Sequence, residues 1–165
     1  MLALIVAIVV WQTFGKSARG AGPTSLQGEP APVIALRDDD GAPVSLDQYR
    51  NKVVLMNLWA TWCPPCREEL PDLQRLYAQD RRRGLVVIGV DQGESADRAR
   101  AFAQALGLRF PIWIDANQAY GRAYDALGFP TTVIVDRTGR VARGFDGALT
   151  FDEMRAAVAP LLSRG

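Results

Sequence analysis

The sequence has no histidine and only two cysteines among its 165 residues, and both scarcities narrow the chemistry open to it. A structural zinc ion needs four ligands, so a zinc site here would need carboxylates or a second chain to complete it. Cysteine–histidine catalysis of the protease type is excluded because there is no histidine. The net charge is only +1, which gives no electrostatic argument for a nucleic-acid partner. We therefore expect no metal, no other cofactor and no nucleic acid.

A long hydrophobic run is also lacking, because the apolar start of the chain covers only residues 1–10. That is about half of the roughly 20 residues that cross a bilayer as a helix. It fits a short signal-anchor, a start inside a longer anchor, or a buried N-terminal strand. Residues 15–31 are rich in Gly, Ala, Ser and Pro, which is typical of a flexible tether. We therefore predict an apolar anchor over 1–14, a linker over 15–31 and a folded domain over 32–165.

What the sequence does have is both cysteines in one motif, Cys63-Pro64-Pro65-Cys66. The motif follows an apolar β-type run over 53–58 and precedes a helical pattern. A strand that ends in CxxC and opens a helix is typical of a redox-active dithiol. The helix N-terminus supplies free N–H groups and a partial positive charge, both of which favour a thiolate over a thiol.

Three other interpretations of the motif are weaker. A bridge that closes so short a loop removes little unfolded-state entropy, which disfavours a purely structural disulfide. A zinc site lacks ligands, as noted above. A peroxidatic single-cysteine site usually has Pro and Thr upstream of the nucleophile, whereas Met56 stands in that region here.

From residue 32 onward, short β-type runs alternate with helical patterns. The run over 52–60 is nearly all apolar, which is typical of a strand buried on both faces. We predict strands over 33–36, 52–60, 85–91, 111–115, 131–135 and 141–145, and helices over 64–83, 95–107, 117–127 and 151–161. This order favours a single α/β domain with three layers and a mixed central sheet.

The segment WATWCPPC over 59–66, followed by REELP over 67–71 and by GFPTT over 128–132, resembles the thioredoxin superfamily. More narrowly, roughly residues 30–163 resemble the extracytoplasmic thiol-disulfide oxidoreductases of the TlpA/ResA type. The resemblance implies a thioredoxin-like three-layer sandwich. It also implies an N-terminal hairpin before the CxxC strand and a strand–helix insertion between residues 91 and 117.

The resemblance also assigns roles to individual residues. It implies that Cys63 is the exposed attacking cysteine and Cys66 the buried resolving one. Pro130 matches a proline that follows a cis peptide bond beside the dithiol. Pro71 matches a proline inside the active-site helix, where it removes a backbone hydrogen bond.

A second group of residues is expected to form the substrate-binding surface. Trp62 should be exposed beside Cys63, and Phe129 should border the groove in which an extended partner peptide docks. The other expected contacts are Pro64, Pro65 and Thr131. Trp59 follows the strand register, so we expect it in the core.

Acidic residues distinguish this chain within the superfamily it resembles. Thioredoxins carry a buried acid in the strand before the motif, where this chain has Asn57. TlpA/ResA-type proteins place a glutamate just after the motif, and Glu69 matches it. Glu69 lies three residues beyond Cys66, so the two side chains can share a helix face, and we expect Glu69 to accept the Cys66 proton. Glu94 also matches a family position near the site, and a surface charge preceding a helix explains it equally well.

These features predict a reductant of protein disulfides in the bacterial cell envelope, tethered to the inner membrane and supplied by a membrane electron donor. Apo-cytochrome c or a metallochaperone is the expected partner. Two alternatives stay open: a disulfide-forming oxidase or isomerase, and a module that binds Cu(I) between the two thiolates. The sequence shows no extra Met or His ligand near the motif, which disfavours the copper module.

Overall fold

The structure, a computed structural model, describes residues 26–163. The predicted anchor over 1–14 and most of the predicted linker lie outside the described residues. Within 26–163, no helix is both long enough and apolar enough to cross a membrane.

In the described part of the chain, seven strands form one mixed sheet, and four α-helices and two short 3-10 turns accompany it. The strands are β1 (Leu36–Asp38), β2 (Pro43–Val44), β3 (Val53–Trp59), β4 (Leu85–Gln92), β5 (Ile112–Asp115), β6 (Thr131–Val135) and β7 (Val141–Asp146). The helices are α1 (Pro64–Asp80), α2 (Ala96–Ala105), α3 (Ala119–Ala123) and α4 (Phe151–Leu162), and the 3-10 turns are Leu46–Tyr49 and Arg81–Arg83.

The strand order β2-β1-β5-β4-β3-β6-β7 places β3 inside the sheet. β3 runs parallel to β4 and antiparallel to β6, and all seven of its residues are buried. In the β3–β6 register, Leu58 lies opposite Thr131. The end of β3 that leads into Cys63 therefore lies beside the start of β6, which Pro130 precedes.

Alternation along β3 divides the core into two layers. Val53, Leu55 and Trp59 pack on the face covered by α1, α2 and α4. Val54, Met56 and Leu58 pack on the opposite face, which α3 and the turn Leu46–Tyr49 cover. The prediction of a three-layer α/β domain with a mixed sheet is confirmed, and so is the core position of Trp59.

Three boundaries differ from the predictions. The first strand is Leu36–Asp38 rather than 33–36, because its partners in the sheet are β2 and β5. The helix predicted over 117–127 is reduced to α3, since Gln118 and Asp125 at its two ends both have positive φ. Residues 26–31 were predicted as linker, but they pack on the hairpin of β6 and β7. Gly28 N–H donates to Val141 O at 2.8 Å, and Ala31 is buried.

Candidate active site

The two cysteines form a disulfide at the start of α1, with their Cα atoms 5.3 Å apart. Cys63 is the N-cap of α1, and its Sγ accepts a hydrogen bond from the Cys66 N–H at 3.3 Å. Pro64 and Pro65 occupy the first two helical positions, which have no backbone partner in any helix and so tolerate proline. Cys66 therefore contributes the first N–H of the helix, and that N–H points at the sulfur of Cys63.

The two cysteines differ less in exposure than the sequence predicts. Cys63 is only 3% exposed, and Cys66 is fully buried. The expectation of an exposed Cys63 is thus wrong for the oxidised form, because the disulfide holds its sulfur against Cys66 and the helix N-terminus. Cys63 is still the only one of the pair with any accessible surface. Cys63 is therefore the cysteine of this disulfide that an incoming thiolate can approach.

Exposed apolar side chains surround Cys63. Trp62 is 60% exposed, and Pro64 and Pro65 are exposed on the other side of the cysteine. Phe129 is half-buried, and its ring centroid lies 6.1 Å from that of Trp62. The structure therefore brings these four predicted contact residues into one surface around the dithiol.

Thr131 does not join that surface. The residue is fully buried, and its Oγ1 donates to Gly128 O at 2.8 Å and lies 2.9 Å from Asp146 Oδ1. Its hydroxyl thus links the loop that precedes β6 with the end of β7. The expectation that Thr131 contacts a partner is corrected to a supporting role beneath the loop.

Two prolines have the backbone settings that the resemblance implies. The Phe129–Pro130 peptide bond is cis, as predicted, and Pro130 is buried. Pro71 lies inside α1, which continues beyond it to Asp80. The prediction that the helix passes through this proline is therefore confirmed.

Glu69 is a buried acid on the same helix as the dithiol. It is 2% exposed and accepts two hydrogen bonds, from Leu149 N–H at 3.1 Å and from Asn57 Nδ2 at 3.3 Å. Burial raises the pKa of Glu69 to about 7, although both hydrogen bonds act to lower it. An acid with a pKa near neutrality can both accept and return a proton under physiological conditions.

Two further carboxyl groups, those of Glu94 and Asp91, support the residues before Cys63, and the sequence pointed only to Glu94. Glu94 accepts hydrogen bonds from Thr61 N–H at 2.6 Å and from Thr61 Oγ1 at 2.7 Å. Arg98 Nε lies 2.8 Å from the Glu94 carboxylate. Glu94 is thus an internal anchor for the loop that carries Trp62 and Cys63, and the interpretation as a free surface charge is wrong.

Asp91 is the other member of this pair, and sequence reasoning missed it. It is fully buried, and its Oδ1 accepts the Glu94 N–H at 3.1 Å, while its Oδ2 receives no donor. Burial and the neighbouring Glu94 carboxylate raise the pKa of Asp91 to about 8. Burial opposes ionisation of Glu94 too, but its bonds from Thr61 and Asp91 lower its pKa. A proton on Asp91 lets it donate to Glu94, which resolves the contact between two acceptors. The available signal was an acid near the end of the otherwise apolar run of β4.

Replacing Asp91 with Asn should remove a pH-dependent loss of stability. The folded pKa is raised, so the folded state holds a proton that the unfolded state releases above about pH 4. Stability of the natural protein therefore falls between about pH 4 and the folded pKa of about 8, then levels off. The Asn amide imitates the protonated acid. Urea unfolding across pH should show the variant gaining on the natural protein up to about pH 8. A constant difference at every pH would contradict the shared proton.

Among residues 26–163, no three His, Cys, Asp or Glu side chains come together in a way that could hold a metal ion. The chemical groups gathered at the end of β3 are a dithiol, the acid Glu69 with a pKa near neutrality, and an apolar rim around Cys63. This apolar rim consists of Trp62, Pro64, Pro65 and Phe129. Together they are suited to exchange of a thiol pair with a disulfide, with one group placed to take up a proton.

Comparison with known proteins agrees with this chemistry. Residues 27–143 match the model of the AhpC/TSA family. The chain is 35% identical over 128 residues to the thiol-disulfide oxidoreductase ResA of Geobacillus thermodenitrificans, which covers 78% of this chain and 74% of the relative. It is 32% identical over 131 residues to ResA of Bacillus subtilis, with 79% and 73% covered.

Solved structures show the same fold. A thiol:disulfide interchange protein of the thioredoxin family from Chlorobium tepidum superposes with a TM-score of 0.73 at 28% identity, covering 88% of this chain and 99% of that one. A secreted thiol-disulfide isomerase from Corynebacterium glutamicum gives a TM-score of 0.74 at 27% identity, covering 81% and 85%. The chain therefore belongs to the AhpC/TSA family and groups there with the thiol-disulfide oxidoreductases of the ResA kind.

Proposed function

We propose that this thiol-disulfide oxidoreductase works outside the cytoplasm as a reductant of disulfides in partner proteins. The observation that carries the proposal is the Cys63–Cys66 pair at the start of α1, in which only Cys63 keeps accessible surface, with the buried acid Glu69 on the same helix. A secreted structural relative supports the location. The tether to the inner membrane through residues 1–14 stays a prediction, because those residues lie outside the described part of the chain.

The reaction begins with the reduced protein. The Cys63 thiolate attacks one sulfur of the partner's disulfide, forms a mixed disulfide and releases the partner's other sulfur as a thiolate, which takes up a proton. The Cys66 thiolate then attacks the Cys63 sulfur and releases the partner's second sulfur as a thiolate, which also takes up a proton. Two electrons have passed to the partner, and the Cys63–Cys66 disulfide seen in the structure is the product.

Glu69 is placed to handle the proton that the second step requires. Cys66 is fully buried, and burial disfavours a thiolate. Glu69 lies three residues further along α1 and is buried like Cys66, and its pKa of about 7 suits a proton acceptor at neutral pH. We propose that it accepts the Cys66 proton as Cys66 attacks the mixed disulfide.

The partner is proposed to dock as an extended peptide across the apolar rim of Cys63. Trp62 and Phe129 form one side of this rim, and the 88% exposed Leu127 extends it beyond Phe129. Exposed aromatic rings beside an accessible sulfur favour a flexible apolar peptide that carries a cysteine pair. Apo-cytochrome c and a metallochaperone dithiol are the proposed partners. A membrane protein is proposed as the donor that reduces the Cys63–Cys66 disulfide again.

The same chemistry run in the opposite direction is the second candidate. A disulfide-forming oxidase or isomerase would use the same two cysteines, and one structural relative is called an isomerase. The two functions differ in the reduction potential of the dithiol, because the potential sets the direction of electron flow.

The reduction potential of the pair tests the proposal. The protein is equilibrated with thiol buffers of known potential at pH 7, and the oxidised fraction is read from Trp fluorescence. A value near about −270 mV is expected for a reductant of the thioredoxin kind. A value near about −120 mV would make the protein an oxidant and overturn the proposed direction.

A further inference from the structure

One buried amide lies between the acid Glu69 and the sheet. Asn57 is on β3, on the face that α1 covers, and it is fully buried. Its Nδ2 donates to Glu69 Oε2 at 3.3 Å and to Thr132 Oγ1 at 3.1 Å. Both hydrogens of the amide are therefore in use while Glu69 is ionised.

The other end of this amide has no partner. Asn57 Oδ1 is buried and receives no hydrogen bond. An unpaired buried acceptor has a free-energy cost, so the arrangement suits the carboxylate form of Glu69 without satisfying the whole amide.

Protonation of Glu69 reverses the requirement at Oε2. Leu149 N–H is a fixed backbone donor at Oε1, so the added proton belongs on Oε2, which faces Asn57. The O–H of the protonated acid and the Asn57 Nδ2 would then be two hydrogen-bond donors facing each other. A half-turn of the amide places Oδ1 there instead, where it accepts from the acid and from the Thr132 hydroxyl, which can donate as well as accept. The unpaired atom becomes Nδ2, so each orientation leaves one end of the amide unsatisfied.

We propose that Asn57 is a positioning residue whose side-chain amide turns over each time Glu69 gains or loses a proton. The amide would then hold the acid in one place through both halves of the reaction. This inference rests on the proposed role of Glu69 for its functional meaning, but the turn itself depends only on the protonation of Glu69.

The other groups around Glu69 do not provide this exchange. Asp72, on α1, raises the pKa of Glu69 through its charge, and the dithiol lies on the same helix. The loop before α4 contributes the Leu149 N–H, which donates whatever the state of the acid. Asn57 is the neighbour on β3 that can both donate and accept.

NMR of the oxidised protein tests the turn directly, because no thiol titrates in that form. Glu69 is followed through its side-chain carboxyl carbon, and Asn57 through nuclear Overhauser effects between its amide protons and the Thr132 side chain. These effects should be present above the Glu69 midpoint and lost below it. An unchanged pattern on both sides of the midpoint would overturn the proposal.

Two variants sharpen the measurement. Glu69→Gln puts a permanent N–H₂ group where the acid proton stood, so Asn57 should keep the low-pH pattern at every pH. Asn57→Leu removes the donor to the carboxylate and also the acceptor for the protonated acid. The bond to the charged form is the stronger of the two, so the Glu69 midpoint should still rise, by about one pH unit. Thr132→Val is the control, because it weakens both amide orientations and should move the midpoint far less. Equal shifts in Asn57→Leu and Thr132→Val would contradict the proposal.

Failure of this inference and failure of the proposed function can be told apart. If the amide turns in the oxidised protein but Glu69→Gln leaves the pH dependence of turnover intact, the positioning stands and the role of Glu69 as proton acceptor falls. If Glu69→Gln changes that pH dependence while the amide stays fixed, the positioning role of Asn57 falls alone.

Discussion

Cys63→Ser should abolish disulfide reduction, lowering turnover on the order of a thousandfold or more, because serine cannot supply a thiolate nucleophile. Cys66→Ser should also stop turnover, but at a later point. Cys63 would still attack, and no second thiol would resolve the mixed disulfide. The two variants should therefore be equally inactive and yet leave different products.

Trapping distinguishes these products. Cys66→Ser, expressed in the cell envelope and isolated under acid quench, should carry a partner protein bound through Cys63 that is released by a reductant. Cys63→Ser should carry far less, since Cys66 is fully buried and only Cys63 has accessible surface. Equal trapping by both variants would show that partners reach Cys66 as well and would contradict the assigned order of attack.

The apolar rim explains why we expect Cys63 always to attack the partner before Cys66 reacts. Trp62, Pro64 and Pro65 flank Cys63 with exposed apolar surface, whereas Cys66, inside the first turn of α1, is fully buried. A partner seated on the rim meets the Cys63 sulfur first. Cys63 is 3% exposed in the disulfide form, and this is the form that the electron donor has to reduce. The donor must therefore approach the same small opening as the partner.

The sequence was sufficient to predict the features that local patterns encode. The dithiol and the start of α1 follow from one CxxC between an apolar run and a helical run, and the nearly continuous apolar run over 52–60 predicted that β3 is buried on both faces. The position of Pro130 beside the dithiol came from a family resemblance, because spacing alone does not place β6 next to β3.

Contacts across the fold were not predictable in the same way. Asn57 meets Glu69 and Thr132, which are 12 and 75 residues away along the chain. Glu94, whose N–H Asp91 accepts, meets Thr61 only because β3 and β4 are neighbours in the sheet. The sequence shows that Asn57 stands where thioredoxins have a buried acid. It does not show which groups the amide of Asn57 bonds, because those partners come together only in the packed core. The short helix α3 was overestimated for a similar reason, since its ends are set by residues with positive φ.

Glu69→Gln should slow reduction at neutral pH by about 100-fold, the usual contribution of a general base, while the protein stays folded. In the natural protein, the rate of the resolving step should rise with pH as Glu69 loses its proton, with a midpoint near its pKa of about 7. Gln carries no titrating proton, so this rise should disappear. Stopped-flow measurement of turnover between pH 5 and 9 with a model protein disulfide checks the result.

The stability of Glu69→Gln supplies the control, because its sign is opposite to the loss of activity. The folded pKa of Glu69 is raised, so ionisation of the buried acid lowers the stability of the natural protein between about pH 4 and its pKa of about 7. The Gln variant escapes this cost and should gain in free energy of unfolding over that range. A variant that is more stable above neutrality and also slower has not lost activity through unfolding, and loss of the pH-dependent rise then assigns the effect to the proton of Glu69. A variant with an unchanged pH profile of turnover would remove Glu69 from the mechanism.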